Sequence, residues 1–224
     1  NNPTGSNNNN NNGTTFAFVV GDTFYFDQWQ LDANGNKIAA THEKLRQIIA
    51  STGLQYQGKS GVTMAIDSVT DTTGQGISAD TTYYSTEGSS ISVYGLVAKL
   101  VAQYSNNQVV ITPVWNKMID VGNTSGWLTD STATTYSGYP ATEVIHGKDT
   151  GNVNITVGAN TLTTDYAIHH GSVTVSIASA PITLHVYAST NPSVLVKSVA
   201  DPTKVLGTPY NGIDLELSSY SVVK

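Results

Sequence analysis

The sequence predicts a mainly β protein: a curved antiparallel sheet, half-barrel or sandwich, with one α-helix packed on it. Three observations carry that class. Thr, Ser, Asn, Val and Tyr crowd the 224 residues while charged residues make up only 12%, whereas a helical bundle needs Ala, Leu, Glu and Lys in bulk. Apolar and polar residues alternate at period two in segment after segment. Turn dipeptides separate these segments at the spacing of a sandwich or barrel. A folded chain of this length hides about 70% of its extended surface, so a core can form although the chain has no cysteine.

Residues 1–15 read as a polar, Asn-rich arm or tether, with six asparagines at Asn7–Asn12 and no apolar side chain to offset the entropy of ordering them. Residues 16–224 read as one β-rich domain, with a weak seam at Ser137-Gly138. Phe16, Phe18, Val20, Phe24 and Phe26 share one parity, which predicts a strand pair over Phe16 to Leu31 broken at Gly21-Asp22. Asn34-Gly35 suits a tight turn. Thr41 to Thr52 predicts the helix: Thr41 caps it, Glu43 lies in its first turn, Leu45, Ile48 and Ile49 form one stripe, and Gly53 ends it.

Further along, Val62, Met64 and Ile66 alternate with polar residues, and Thr81–Thr86 with Ile91–Tyr94 forms a hairpin around Glu87-Gly88. Leu96 to Tyr104 fits either period. Val109–Trp115, a segment opening at Gly126-Trp127, Val153–Val157, Thr161–His169, Val173–Ile177, Ile182–Tyr187, Val194–Val196 and Ile213–Leu217 complete ten to twelve strands. Asn191-Pro192 and Asn211-Gly212 mark turns.

Composition narrows the function. A net charge of −6 argues against nucleic acid, which asks for a basic face, and no run of 18 apolar residues spans a membrane as a helix. The chain opens at Asn1 rather than methionine, as removal of an export leader would leave it, so the expected location is extracellular or at the cell surface. Asn12, Asn123 and Asn154 head glycosylation sequons.

Motifs for catalysis are sparse, and the expectation is a non-enzyme. No serine lies in a strand–Gly-x-Ser-x-Gly–helix context, Gly74-Gln75-Gly76 lacks the rest of a phosphate loop, and His42 and His146 show no orienting partner. Paired carboxylates cannot be recognised from spacing alone; Asp214 and Glu216 alternate on what reads as a solvent face. His169 and His170 point to opposite faces of a strand, and with His185 read as polar surface or turn histidines. Asp32, Asn34, Asn36 and Glu43 mimic the 1, 3, 5 and 12 positions of a calcium loop, with Lys37 where a glycine should bend the chain; calcium is the one cofactor this spacing suggests.

The run Phe18-Val19-Val20-Gly21-Asp22-Thr23-Phe24-Tyr25-Phe26 resembles the opening strands of exported bacterial lipoproteins. Tyr83-Tyr84-Ser85-Thr86-Glu87-Gly88 followed by Ile91 to Gly95 resembles their middle hairpin, and Val194-Leu195-Val196-Lys197 with Gly212 to Tyr220 their closing strands. The resemblance touches about a third of the chain. It implies the lipoprotein-carrier half-barrel, an antiparallel sheet curled around a helix with an apolar interior, and no catalytic residue. The family's lipidated cysteine, which precedes a polar tether, has no counterpart here.

Two functions follow as expectations. The first is an extracellular structural subunit of a filament, surface array or adhesin. Its partners would be copies of itself, and Phe16, Phe18 and Val20 would complete a neighbour's sheet by strand addition. The second is a module that holds a lipid or other hydrophobic ligand against Phe24, Phe26, Ile48 and Ile49.

Overall fold

In the computed structural model, residues 15–104, 111–136, 139–175, 178–205 and 208–223 are described. The arm up to residue 14, the sequon at Asn12 and the seam at 137–138 lie outside them. Fourteen strands and one α-helix appear among the described residues: β1 (Thr23–Leu31), β2 (Glu43–Tyr56), β3 (Lys59–Asp71), β4 (Gly76–Glu87), β5 (Ser90–Tyr94), α1 (Leu96–Tyr104), β6 (Trp115–Asp120), β7 (Trp127–Tyr136), β8 (Tyr139–Val157), β9 (Asn160–Val175), β10 (Ala178–Thr190), β11 (Ser193–Ala200), β12 (Thr203–Val205), β13 (Thr208–Tyr210) and β14 (Gly212–Ser221).

Twelve strands form one antiparallel sheet in the order β6-β5-β4-β3-β2-β1-β14-β11-β10-β9-β8-β7, and β12-β13 form a separate ribbon. Two meanders, β1 to β6 and β7 to β11, run to opposite ends of the sheet. The last strand, β14, joins them at the centre by pairing with β1 on one side and β11 on the other. The sheet curls into a half-barrel, bringing β6 against β8, β9 and β10. The two ends also touch: the Trp127 indole N–H of β7 donates to the Lys117 carbonyl of β6 at 3.3 Å. The Trp127 ring lies against Gly147, where a Cβ would come within 2.3 Å of it.

Segment 41–52 is not the helix. A single 3-10 turn (Ala39–Thr41) precedes β2, which pairs with β1 and β3. The spacing Leu45, Ile48, Ile49 satisfies a helical stripe, yet Leu45, Gln47 and Ile49 also share strand parity, and two sheet partners decide between the periods. Gly53, read as a helix terminator, sits at φ +76° between register shifts of the β2–β3 ladder, a bulge position that glycine fills without strain. Ile48 therefore faces outward, opposite the exposed Ile66, while Ile49 is fully buried. Ile49→Ala is expected to cost about 2–5 kcal/mol in denaturant unfolding and Ile48→Ala far less; a helix would bury both.

The helix is the segment whose period the sequence left open. Leu96 and Leu100 pack into the larger core with Phe24, Phe26, Ile49, Val186 and Leu217, while Val97 and Val101 enter a second cluster with Ile111, Ile145, Val173 and Ile182. Pairs spaced by four, one pair to each cluster, require a 3.6-residue period. α1 thus lies in the curl of the sheet, the place the half-barrel resemblance assigns to a helix.

Other boundaries also move. Residues 15–22 are not a strand, and β1 begins at Thr23. Within Val109–Trp115, residues 109–110 are outside the described set, Ile111 makes an isolated bridge, and strand β6 starts at Trp115. Val153–Val157 and Val173–Ile177 are parts of the long strands β8 and β9, with residues 176–177 not described.

Candidate functional site

Around α1 the interior is filled by the protein's own side chains. Phe24, Phe26 and Ile49 are buried in the core. The void between α1, β6 and β8–β10, lined by Leu100, Met118, Ile145, His169 and Leu184, measures about 10 Å³. A single water needs about that much, and a lipid chain far more.

Buried polar groups are threaded through this packing. Asn116 of β6 accepts the Val97 N–H of α1 through Oδ1 (3.2 Å) and donates through Nδ2 to Glu143 of β8. Glu143 is 1% exposed, and burial pushes its carboxyl up to about 7 despite the Asn116 donor. His169 of β9, 2% exposed, donates from Nε2 to the Met118 carbonyl at 2.7 Å. Burial holds its imidazole down at about 4. His169 and His170 do face opposite ways, but His169 belongs to the core and not to the surface. On β2–β4, Asp67 accepts from Gln47 Nε2 (2.8 Å) and Thr82 Oγ1 (2.5 Å), and Tyr84 OH donates to Gln47 Oε1 (3.0 Å). Burial raises the Asp67 carboxyl, and these donors offset part of that.

Larger open spaces lie elsewhere: one of about 370 Å³ opens between β8 and the strands β10, β11 and β14, beside Ile155, Val196 and Leu217, and another lies on the far side of α1. β4 is paired with β5 only over Tyr84–Glu87, so its earlier residues leave an edge beside α1. A cleft of about 470 Å³ opens there between α1, β4 and the end of β5. One wall is aromatic. Tyr56 and Tyr83 stack at 3.7 Å and 11°, and Tyr94 meets Tyr56 edge-on at 5.3 Å. Behind them Trp115 packs on Tyr94 at 5.3 Å and fixes its indole N–H on the Gln57 carbonyl at 3.1 Å. All four rings remain half-exposed. The other wall is polar: Lys99 of α1 pairs with Asp80 at 2.8 Å and reaches Thr82 Oγ1 at 3.3 Å. Although partial burial opposes it, Lys99 and the Thr81 N–H hold the Asp80 carboxyl below its usual range. Lys59 lies 5.5 Å from the Trp115 ring and pairs with Glu87 at 2.5 Å.

The residues singled out in the sequence fall mostly outside this cleft. Phe16 is 2% exposed in the protein's own core, Phe18 packs on Tyr84 at 4.9 Å, and the Ala17 N–H donates to Ser193 Oγ at 2.8 Å. Val20 is exposed. Asp32 accepts the N–H groups of Asn34 (2.8 Å) and Asn36 (2.9 Å) in an exposed turn, while Glu43 accepts from Gln28 Nε2. The four calcium-loop positions are thus engaged as a turn and a strand pair, and no group of three His, Cys, Asp or Glu side chains suited to a metal occurs among the described residues. Asn123 is tied into its own turn through Asp120 and Gly126, whereas Asn154 is exposed and accepts from Thr163.

Polar partners that spacing could not reveal also appear. His42 pairs with Asp27 at 2.8 Å and stacks on Trp29. His185 bridges Tyr166 OH (2.7 Å) and Asp201 (3.4 Å). Asp214, read as solvent-facing, is buried beneath Lys37 and Lys197. The cleft itself went unread because its rings come from β2, β4, β5 and β6, and only strand register brings them together. Glu143 did leave a signal: it occupies the same parity as Ala141, Ile145 and Gly147, all buried.

No family model matches the chain, and no curated protein matches it. Among solved structures, a candidate lipoprotein from Parabacteroides distasonis superposes with a TM-score of 0.56 at 10% identity, covering 92% of this chain and 97% of its own. A candidate exported protein with a YmcC-like fold from Bacteroides fragilis gives 0.55 at 9% identity, covering 93% and 99%. The likeness is one of fold, and it extends over nearly the whole length of all three chains.

Proposed function

We propose that this protein is an extracytoplasmic, non-enzymatic recognition module that holds its partner in the aromatic cleft beside α1. The observation that carries the reading is an open cleft beside α1 whose aromatic rings are fixed by one another. A preformed concavity with aromatic walls and a few placed polar groups is the usual form of a binding site. An extracytoplasmic location is supported by the fold shared with one chain described as a lipoprotein and another described as exported. A lipid held inside is disfavoured by the filling around Phe24, Phe26 and Ile49. Strand donation through Phe16 and Phe18 is disfavoured because both side chains pack within their own subunit.

The test is sedimentation of the purified protein with envelope fragments of the cell that makes it. Wild type is expected to co-sediment, and Tyr94→Ala, checked for its melting temperature, to remain in the supernatant. Equal sedimentation of both proteins would remove the cleft from the function, and failure of wild type to sediment would remove the envelope.

A further inference from the structure

We infer that the cleft beside α1 binds a neutral saccharide chain. The inference rests on that cleft being the binding site and adds the chemical class of its ligand. A pyranose ring presents apolar C–H faces and a rim of hydroxyl groups. Its ideal surroundings are therefore aromatic faces on one side with donors and acceptors on the other. The cleft offers both kinds of group: Tyr56, Tyr83 and Tyr94 line it with ring surface, and Lys99, Asp80 and Thr81 with polar atoms. Tyrosine adds a hydroxyl to each ring, so the aromatic wall is itself able to hydrogen-bond along its margin.

Charge favours a neutral chain. Lys99 is paired with Asp80 and Lys59 with Glu87, so neither cation is left to attract a polyanion, and each pair still offers donors and acceptors to hydroxyl groups. Shape favours a sugar over a lipid, because the cleft is open to solvent and an apolar chain gains most where it is enclosed. The β4 edge favours a sugar over an extended peptide. Strand addition needs free backbone groups, and the Thr81 N–H in this wall already donates to Asp80 Oδ1 at 2.7 Å. An edge covered by its own carboxylate and by Lys99 is blunted against a further strand.

Affinity electrophoresis of the full chain in native gels containing dextran, mannan, xylan or polygalacturonate tests this. Wild type is expected to be retarded by at least one of the three neutral polysaccharides and not by polygalacturonate. Tyr83→Ala and Tyr94→Ala are expected to weaken that binding at least about tenfold, the effect of losing one aromatic anchor. Lys99→Met should weaken it without removing a ring, which keeps the test informative if either alanine variant fails to fold. Retardation by a neutral polysaccharide that all folded cleft variants retain would overturn the site, and the proposed function with it. Absence of retardation in every gel, with envelope sedimentation still lost in Tyr94→Ala, would overturn the saccharide and leave the cleft standing. Retardation by polygalacturonate alone would overturn its neutrality, and cleft-dependent capture of extended peptides would replace it by a peptide.

Discussion

Phe24→Ala is expected to destabilise the protein by about 3–5 kcal/mol in guanidinium unfolding, the range for deleting a fully buried phenylalanine. Phe24 has no exposed surface and lies on the central strand β1, opposite Gln47 of β2 and Tyr220 of β14. Neighbouring strands on both sides limit how far the backbone can close around the cavity, which places the expected cost toward the upper part of the range. Its neighbour Tyr25 points to the other face and is 40% exposed, so Tyr25→Ala should cost about 1 kcal/mol or less. This contrast tests the architecture at its joint, because β14 joins the two meanders by lying between β1 and β11. Similar losses for the two variants would mean that β1 does not present alternate faces to core and solvent, and the register with β14 would have to be redrawn.

That alternation was legible in the sequence, as were the curled antiparallel sheet and the burial of Phe24 and Phe26. Period two held at Phe24 and Phe26 on β1, whereas Phe16 and Phe18, of the same parity, precede it in residues that form no strand. The helix was harder because short apolar runs satisfy both periods. Leu45, Ile48 and Ile49 are followed by a glycine that suits a helix end and a β-bulge equally, and the β1 and β3 partners that settle the matter are long-range contacts. Leu96, Val97, Leu100 and Val101 posed the opposite problem: a helix appears only when two separate clusters are seen to share them. The calcium-like spacing at Asp32 falls on an Asx turn, in which the carboxylate accepts from the N–H groups two and four residues on. The aromatic cleft was beyond a linear reading. Tyr56, Tyr83, Tyr94 and Trp115 are each ordinary strand residues until four strands are placed in register.

The largest pH effects are expected from Glu143 and His169, and they oppose one another. Glu143 has its folded pKa raised to about 7 from 4.5. Between these values the folded protein keeps a proton that the unfolded chain has lost, so this contribution is complete below about 4.5 and disappears as the pH rises through 7. His169 has its folded pKa lowered to about 4 from 6.5. Here the unfolded chain takes the proton first, so its contribution is complete above about 6.5 and disappears as the pH falls through 4. Across roughly pH 4.5–6.5 each group alone would change stability by about 1.4 kcal/mol per pH unit, with opposite sign. Together they leave a plateau. Glu143→Gln, which can still accept from Asn116, removes one slope. Relative to wild type, its stability should increase by about 3 kcal/mol between pH 4.5 and 7. His169→Gln, which can still donate to the Met118 carbonyl, should diverge the other way, losing its advantage over wild type between pH 4 and 6.5. Taking each variant minus wild type cancels the remaining carboxylates, among them Asp67, Asp165 and Asp214, whose values burial also raises. Parallel curves for Glu143→Gln and wild type would show that Glu143 is not protonated in the core. The Asn116 bridge from α1 to β8 would then be anchored on a carboxylate ion that its surroundings stabilise as well as water does, and its ionisation would leave the pH profile flat.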